Sequence, residues 1–261
     1  MKTRLIGFAL PIFCAIALSG LGASYFWTGA AAGDGNNYWN AGNWVTGSVN
    51  GPVPANPPAY NDHQDQVVFT DHPGLENKKV EGNWAENNTV TFQNSTGWDV
   101  DMGFLNYGVS STGNGTNIIR GWCKTVSFGS WTTVGEGNTL VFAGGFCIDG
   151  WQALYLFGTG TAVFHSYPYA AYDWSYILLL DGSLVRVEHA VPVGNVQVQL
   201  FNRYSRFQYK NTVKNAEDYI GWDVFVDKYE RPGFVLSARD IGDGYVEVYF
   251  KPPPYTLVIV K

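Results

Sequence analysis

A chain of 261 residues with 16% aromatic and only 15% charged residues is too apolar for a disordered polymer, which needs low hydrophobicity and high charge. Its formal net charge of −6, with no cluster of Lys and Arg, argues against a nucleic-acid partner, because such binding rests on neutralised phosphates. The 31 glycines, and the lack of Ala/Leu/Glu/Lys-rich windows after residue 23, argue against a helical bundle.

The chain opens with Lys2 and Arg4, an apolar run over residues 5–18 broken only by Gly7 and Pro11, and the small residues Ser19, Gly20, Gly22 and Ala23. This order predicts a secretory signal peptide over 1–23, cleaved near Ala23, with Ser19 or Gly22 as alternative sites. A membrane anchor is the competing reading, but the run is short of the ~20 residues a span requires. Cys14 lacks the small residues that a lipoprotein signal places just before its Cys. Removing the leader leaves 14 basic against 22 acidic residues, a net charge of 14 − 22 = −8.

Residues 24–75 form a Trp/Gly/Pro-rich segment. It holds Phe26-Trp27-Thr28-Gly29, then Gly33-Asp34-Gly35-Asn36-Asn37-Tyr38-Trp39, then Asn43-Trp44. Pro52, Pro54, Pro57 and Pro58 follow, and the segment leads into Asp65-Gln66-Val67-Val68-Phe69. The order W-x-G, Gly/Asn-rich loop, W-x(3)-N-W, Pro-containing loop, D-x-V-x-F resembles the start of secreted bacterial autotransporter-associated β-strand-repeat (passenger-type) proteins. Their second motif is W-x(4)-N-W, one residue longer. The resemblance covers about 45 residues and implies a parallel β-helix capped at its N-terminus, and no particular activity. The physical reading agrees, since an open solenoid end exposes unpaired strand edges. Trp27, Trp39 and Trp44 can plug the first coil while their N–H groups reach loop carbonyls. The alternative is an aromatic platform for sugar rings.

Over residues 76–194 a short strand pattern recurs. Glu86-Asn87-Asn88-Thr89-Val90-Thr91-Phe92 returns as Glu136-Gly137-Asn138-Thr139-Leu140-Val141-Phe142, a displacement of 136 − 86 = 50. Looser copies are Gly115-Thr116-Asn117-Ile118-Ile119, Gly160-Thr161-Ala162-Val163-Phe164 and Gly182-Ser183-Leu184-Val185-Arg186-Val187. Their spacing of 22 to 25 residues predicts an all-β fold, a single parallel β-helix (β-solenoid), with Phe92, Phe142 and Phe164 stacked along one side. An ordinary β-sandwich with chance string similarity is the competing fold. Cys123 and Cys147 lie 147 − 123 = 24 residues apart, close to one coil, which predicts a disulfide between adjacent turns in an oxidising compartment. Two buried free thiols are the alternative.

Gly-Trp doublets at Gly97-Trp98, Gly121-Trp122, Gly150-Trp151 and Gly221-Trp222 sit near predicted corners. Residues 164–176 are unusually aromatic and read as a loop leaving the solenoid or as a lid over a wide coil. Trp98, Tyr167, Tyr169, Tyr172 and Trp174 are the candidate ligand-binding side chains. Over 195–261, residues 196–200, 244–250 and 255–260 read as strands, 211–219 as a short helix and 238–244 as a turn. Together they predict a C-terminal β cap. No stretch after it has the length of an outer-membrane barrel, so a complete autotransporter is not expected.

Chemistry is sparse. His63, His72, His165 and His189 lie far apart, although His63/Asp65 and Asp71/His72 are close pairs, and no metal site or cofactor is expected. The Gly turns around Asp34/Asn36 and Asp240/Asp243 do not complete a calcium loop. Asp99 and Asp101 share a strand face and are the one aromatic-flanked acid pair that a glycosidase mechanism could use. Asn87, Asn94 and Asn114 begin glycosylation-type sequons. The reading is a secreted or surface-attached bacterial, extracellular or periplasmic, non-enzymatic structural or adhesive solenoid. The alternative is a carbohydrate-binding or polysaccharide-cleaving β-helix. The expected partners are extracellular polysaccharide or copies of the chain itself, with no stable membrane insertion after signal cleavage.

Overall fold

The structure, a computed structural model, describes residues 23–58, 61–73, 75–125, 130–148, 153–166, 168–170, 175–190, 196–210, 225–227 and 233–253. The leader, Tyr167, Tyr172, Trp174, Trp151, Trp222, the helix expected at 211–219 and the strand expected at 255–260 lie outside these residues.

Alternating Val, Ile, Thr, Leu and Phe give strands with one inward and one outward row. In chain order these are β1 (Ser24–Trp27), β2 (Trp44–Thr46), β3 (Asn61–Thr70), β4 (Lys79–Gln93), β5 (Asp99–Ser111), β6 (Gly115–Ile119) and β7 (Cys123–Thr125). They continue as β8 (Ser130–Val134), β9 (Asn138–Phe142), β10 (Phe146–Ile148), β11 (Ala153–Phe157), β12 (Thr161–Phe164), β13 (Tyr169–Ala170) and β14 (Ser175–Leu179). The last are β15 (Leu184–Ala190), β16 (Val196–Leu200), β17 (Arg206–Lys210), β18 (Phe225–Asp227), β19 (Val235–Gly242) and β20 (Tyr245–Lys251).

Pairing is parallel and skips chain neighbours, which makes a solenoid with three walls. The first wall stacks the beginnings of β4 and β5, then β6, β9, β12, β15 and β17. The second stacks the middles of β4 and β5, then β7, β10 and β13. The third stacks β3, the ends of β4 and β5, then β8, β11, β14, β16 and β18. Thr116, Thr139, Thr161, Leu184 and Arg206 stand in one column, in steps of 23, 22, 23 and 22 residues. The parallel ladder begins with β1 on β3 and ends with β18 on β16, past both borders drawn from the sequence at 75 and 194.

The 50-residue displacement is not a register of this solenoid. Two coil steps span 161 − 116 = 45 residues, so a longer shift carries a strand onto a different wall. Phe142 stacks on Phe164 on the first wall, with ring centroids 4.9 Å apart and planes 11° from parallel. Phe92 stacks instead on Phe69 on the third wall, at 5.2 Å and 26°. All three are buried, so similar strand chemistry recurs without a common column.

The interior is filled by inward columns. On the first wall Val100, Ile119, Phe142, Phe164, Val187 and Tyr209 lie one above another. On the third, Val90, Val109, Thr132, Leu156, Leu179 and Leu200 do so. Each large apolar side chain buried this way contributes roughly 1.5–3 kcal/mol before the entropy of ordering the chain is subtracted. A buried polar chain satisfies one corner: Asn117 Nδ2 donates to the Ser95 carbonyl and to Ser111 Oγ, each at 3.1 Å, and Ser111 donates to Asn138. At another corner a Cβ on Gly121 would lie 1.9 Å from the Met102 carbonyl carbon. Backbone passes over backbone there, and no larger residue fits.

Both ends are closed. Trp27 and Trp44 are fully buried, edge to face at 5.0 Å, and Trp44 meets Tyr38 in the same way. Their indole N–H groups donate to the Asn77 carbonyl (2.9 Å) and the Tyr38 carbonyl (2.8 Å). β2 lies antiparallel on β1, and Thr46 N beyond it donates to the Pro52 carbonyl. At the far end β20 runs antiparallel to β17 and carries β19, also antiparallel. The expected turn at 238–244 is tighter than the sequence suggested: β19 persists to Gly242, and Asp243 and Gly244 turn with φ of 52° and 73°.

The expected disulfide between Cys123 and Cys147 is not formed, and both thiols are buried and free. The cysteines do lie on adjacent coils, but Cys123 pairs with Phe146 while Cys147 pairs with Lys124. A one-residue offset on a pleated wall sends the two side chains to opposite faces. Cys123 joins the core, between Phe104 and Phe146.

Candidate functional site

Of the side chains singled out for ligand binding, Trp98 is placed against that role. It is 1% exposed and tilts against Phe69 at 5.1 Å, so its ring belongs to the core. A Gly97 φ of 80° starts the corner that turns it inward. Tyr169 is placed by its backbone alone, in β13 beside Cys147. The acid pair of Asp99 and Asp101 is also not a free pair. Asp99 accepts from Arg120 Nε at 2.5 Å and from Arg120 Nη2 at 2.9 Å, one bond on each carboxylate oxygen.

The loop histidine His72 places Nε2 2.9 Å from the Trp27 carbonyl, and its neighbour Asp71 pairs with Lys78 at 2.7 Å. Both are thereby tied to the N-terminal cap. Among the described residues no group of three His, Cys, Asp or Glu is placed to hold a metal ion.

What the fold does assemble is an open depression of about 440 Å³ at the N-terminal cap, lined by Gly33, Asp34, Asn36, Asn37, Trp39, Glu81, Gly82 and Asn83. Two chain segments build it. The loop between β1 and β2 supplies one side, and the kink of β4 between its first and second wall supplies the other, where its pairing with β5 slips between Glu81 and Trp84. Backbone bonds fasten the loop to the kink: Tyr38 N donates to the Glu81 carbonyl (2.8 Å) and Glu81 N to the Asn36 carbonyl (2.6 Å).

Within the loop, Asp34 Oδ2 accepts from Asn37 Nδ2 and Asn40 Nδ2, both at 3.0 Å. Asn37 Oδ1 accepts from the Trp39 backbone N–H at 2.9 Å, and Asn77 Nδ2 donates to Asn36 Oδ1 at 3.2 Å. These bonds fix the polar groups before any ligand arrives. Trp39 is half-buried, with Tyr38 edge-on at 4.9 Å, and packs against the core. Lys79 beside Glu81, with Asn36 second, holds the Glu81 carboxyl below the usual carboxylate range, so it is ionised at neutral pH.

The Asp34–Trp39 side of this depression was legible as an oxygen-rich, Trp-bearing cap loop. The Glu81–Asn83 side carried no motif and is brought in only by the kink, 81 − 37 = 44 residues beyond Asn37. No protein-family model matches the chain, and neither does any curated protein or any solved structure.

Proposed function

We propose that the chain is exported and serves as a non-enzymatic structural or adhesive solenoid at a cell surface or in an extracellular matrix, in the manner of passenger-type β-helix proteins. The observation that carries this reading is the closed rod itself. A filled interior, a Trp plug at one end and an antiparallel hairpin at the other make a rigid spacer whose outer walls are its only working surface. The N-terminal order of charge, apolar run and small residues supports export by a signal peptide. Occupation of both Asp99 oxygens by Arg120 weighs against the polysaccharide-cleaving alternative, which needs a carboxylate to act as base or nucleophile.

The test is fractionation of cells expressing the full chain, N-terminal sequencing of the product, and a reducing-end assay on plant and microbial polysaccharides. The expected result is a surface or extracellular product that begins close to Ser24 and releases no reducing ends. Retention in the cytoplasm with residues 1–23 intact would overturn export, and steady release of reducing ends would overturn the non-enzymatic role.

A further inference from the structure

We infer that the depression at the N-terminal cap is a binding site for a sugar ring of a neutral polysaccharide. This names a ligand for the adhesive reading above and rests on that reading only for where the ligand is met. Three observations carry it. The depression joins one indole, Trp39, to ionised and amide groups held by bonds that exist without a ligand. A pyranose offers the matching surfaces: an apolar C–H face for an aromatic ring, and a rim of hydroxyls that donate to carboxylates and accept from carboxamides. The polar groups lie around the indole because loop and kink are bonded together, so neither segment supplies the site alone.

Charge selects within the class. Asp34 and Glu81 line the depression, Glu81 stays ionised, and the whole chain is net negative, so uronic-acid polymers and sulfated glycans are repelled. Shape selects further. A site for a free small molecule encloses most of its ligand, whereas this one is open to solvent and leaves a chain room to continue beyond the bound ring.

The experiment is native affinity electrophoresis of the full chain, purified from whichever cell fraction holds it, through gels cast with mixed-linkage β-glucan, xylan, galactomannan or pullulan. A polygalacturonate gel serves as the anionic comparison. Because the source fraction does not matter, failure of export and failure of sugar binding are read separately. Retardation is expected in at least one neutral gel, weakened at least ten-fold by Trp39→Ala and by Asn83→Ala. Trp122→Ala, at an exposed indole on a different part of the solenoid, should migrate like the parent chain. Asn83 is exposed, so its replacement keeps the test valid even if Trp39→Ala disturbs the cap. No retardation in any neutral gel, retardation in polygalacturonate alone, or unchanged retardation of both site variants would overturn the inference.

Discussion

Single side chains in this protein act according to the column they occupy. Phe142 and Phe164 share a column, whereas Phe92 belongs to another wall. Truncating any of them to Ala should cost about 3–5 kcal/mol, because each leaves a cavity in a filled interior. Coupling separates them: a double-mutant cycle by urea unfolding should give an interaction energy above ~0.5 kcal/mol for Phe142/Phe164 and additivity for Phe92/Phe142. Equal coupling in both pairs would contradict the three-wall arrangement. The cysteines give a second test at this scale. Burial pushes the Cys123 thiol from 9.0 up to about 12. The folded value lies above the unfolded one, so its stabilising effect is fully present below pH 9 and is lost as pH rises from 9 toward 12. Stability of the parent chain should therefore fall by up to ~1.4 kcal/mol per pH unit more steeply than that of Cys123→Ala over this window. Parallel pH profiles would mean that the thiol meets water in the fold. The offset that separates Cys123 from Cys147 was beyond reach of a residue count. A spacing of 24 is one coil to within a residue, and that residue decides which face a side chain takes.

At the scale of elements, the C-terminal hairpin is held to the solenoid by a buried carboxylate. Glu247 on β20 is 2% exposed; its Oε1 accepts from Gln208 on β17 at 3.0 Å, and its Oε2 accepts from Arg239 Nε and Nη2 on β19 at 2.9 and 2.6 Å. Arg206 stands 3.9 Å from Oε1, and both arginines keep about half of their surface in water. The burial is asymmetric, and so is the expected damage. Arg239→Ala strands a charge away from solvent and should cost roughly 3 kcal/mol. Glu247→Gln leaves two arginines that water can serve and should cost about 1 kcal/mol. Urea unfolding of the two variants tests that order, and the reverse order would place the carboxylate at the surface. The cap itself was legible, since the strand at 245–251 alternates clearly and a Gly-Asp-Gly turn precedes it. Its antiparallel pairing on β17 was not, because an alternating strand does not record the direction of its neighbour.

For the molecule as a whole, the hairpin's task is to cover the last strand edge of the first wall. A chain lacking residues 233–261 should expose β17 and associate edge to edge, seen as oligomers in size-exclusion chromatography where the full chain elutes as one species. Monomeric elution of the shortened chain would mean that the edge is protected by other means. Much of this architecture was already readable in the linear chain. A 22–23-residue recurrence of Gly, Thr, Val and Phe imposes stacking, because one coil cannot bury its apolar row alone. Tryptophans ahead of the first coil mark a plug for the same reason. Those properties are local or periodic, and a periodic string carries them without help. Which wall a strand joins, which face Cys147 takes, whether Trp98 meets solvent, and which residues stand opposite Asp34 depend instead on corner lengths that vary by one or two residues. Each extra corner residue rotates everything after it, so those outcomes are sums over the whole coil. They exist only once the coils have closed on one another, when the kink at Glu81 comes to face a loop that preceded it by some forty residues.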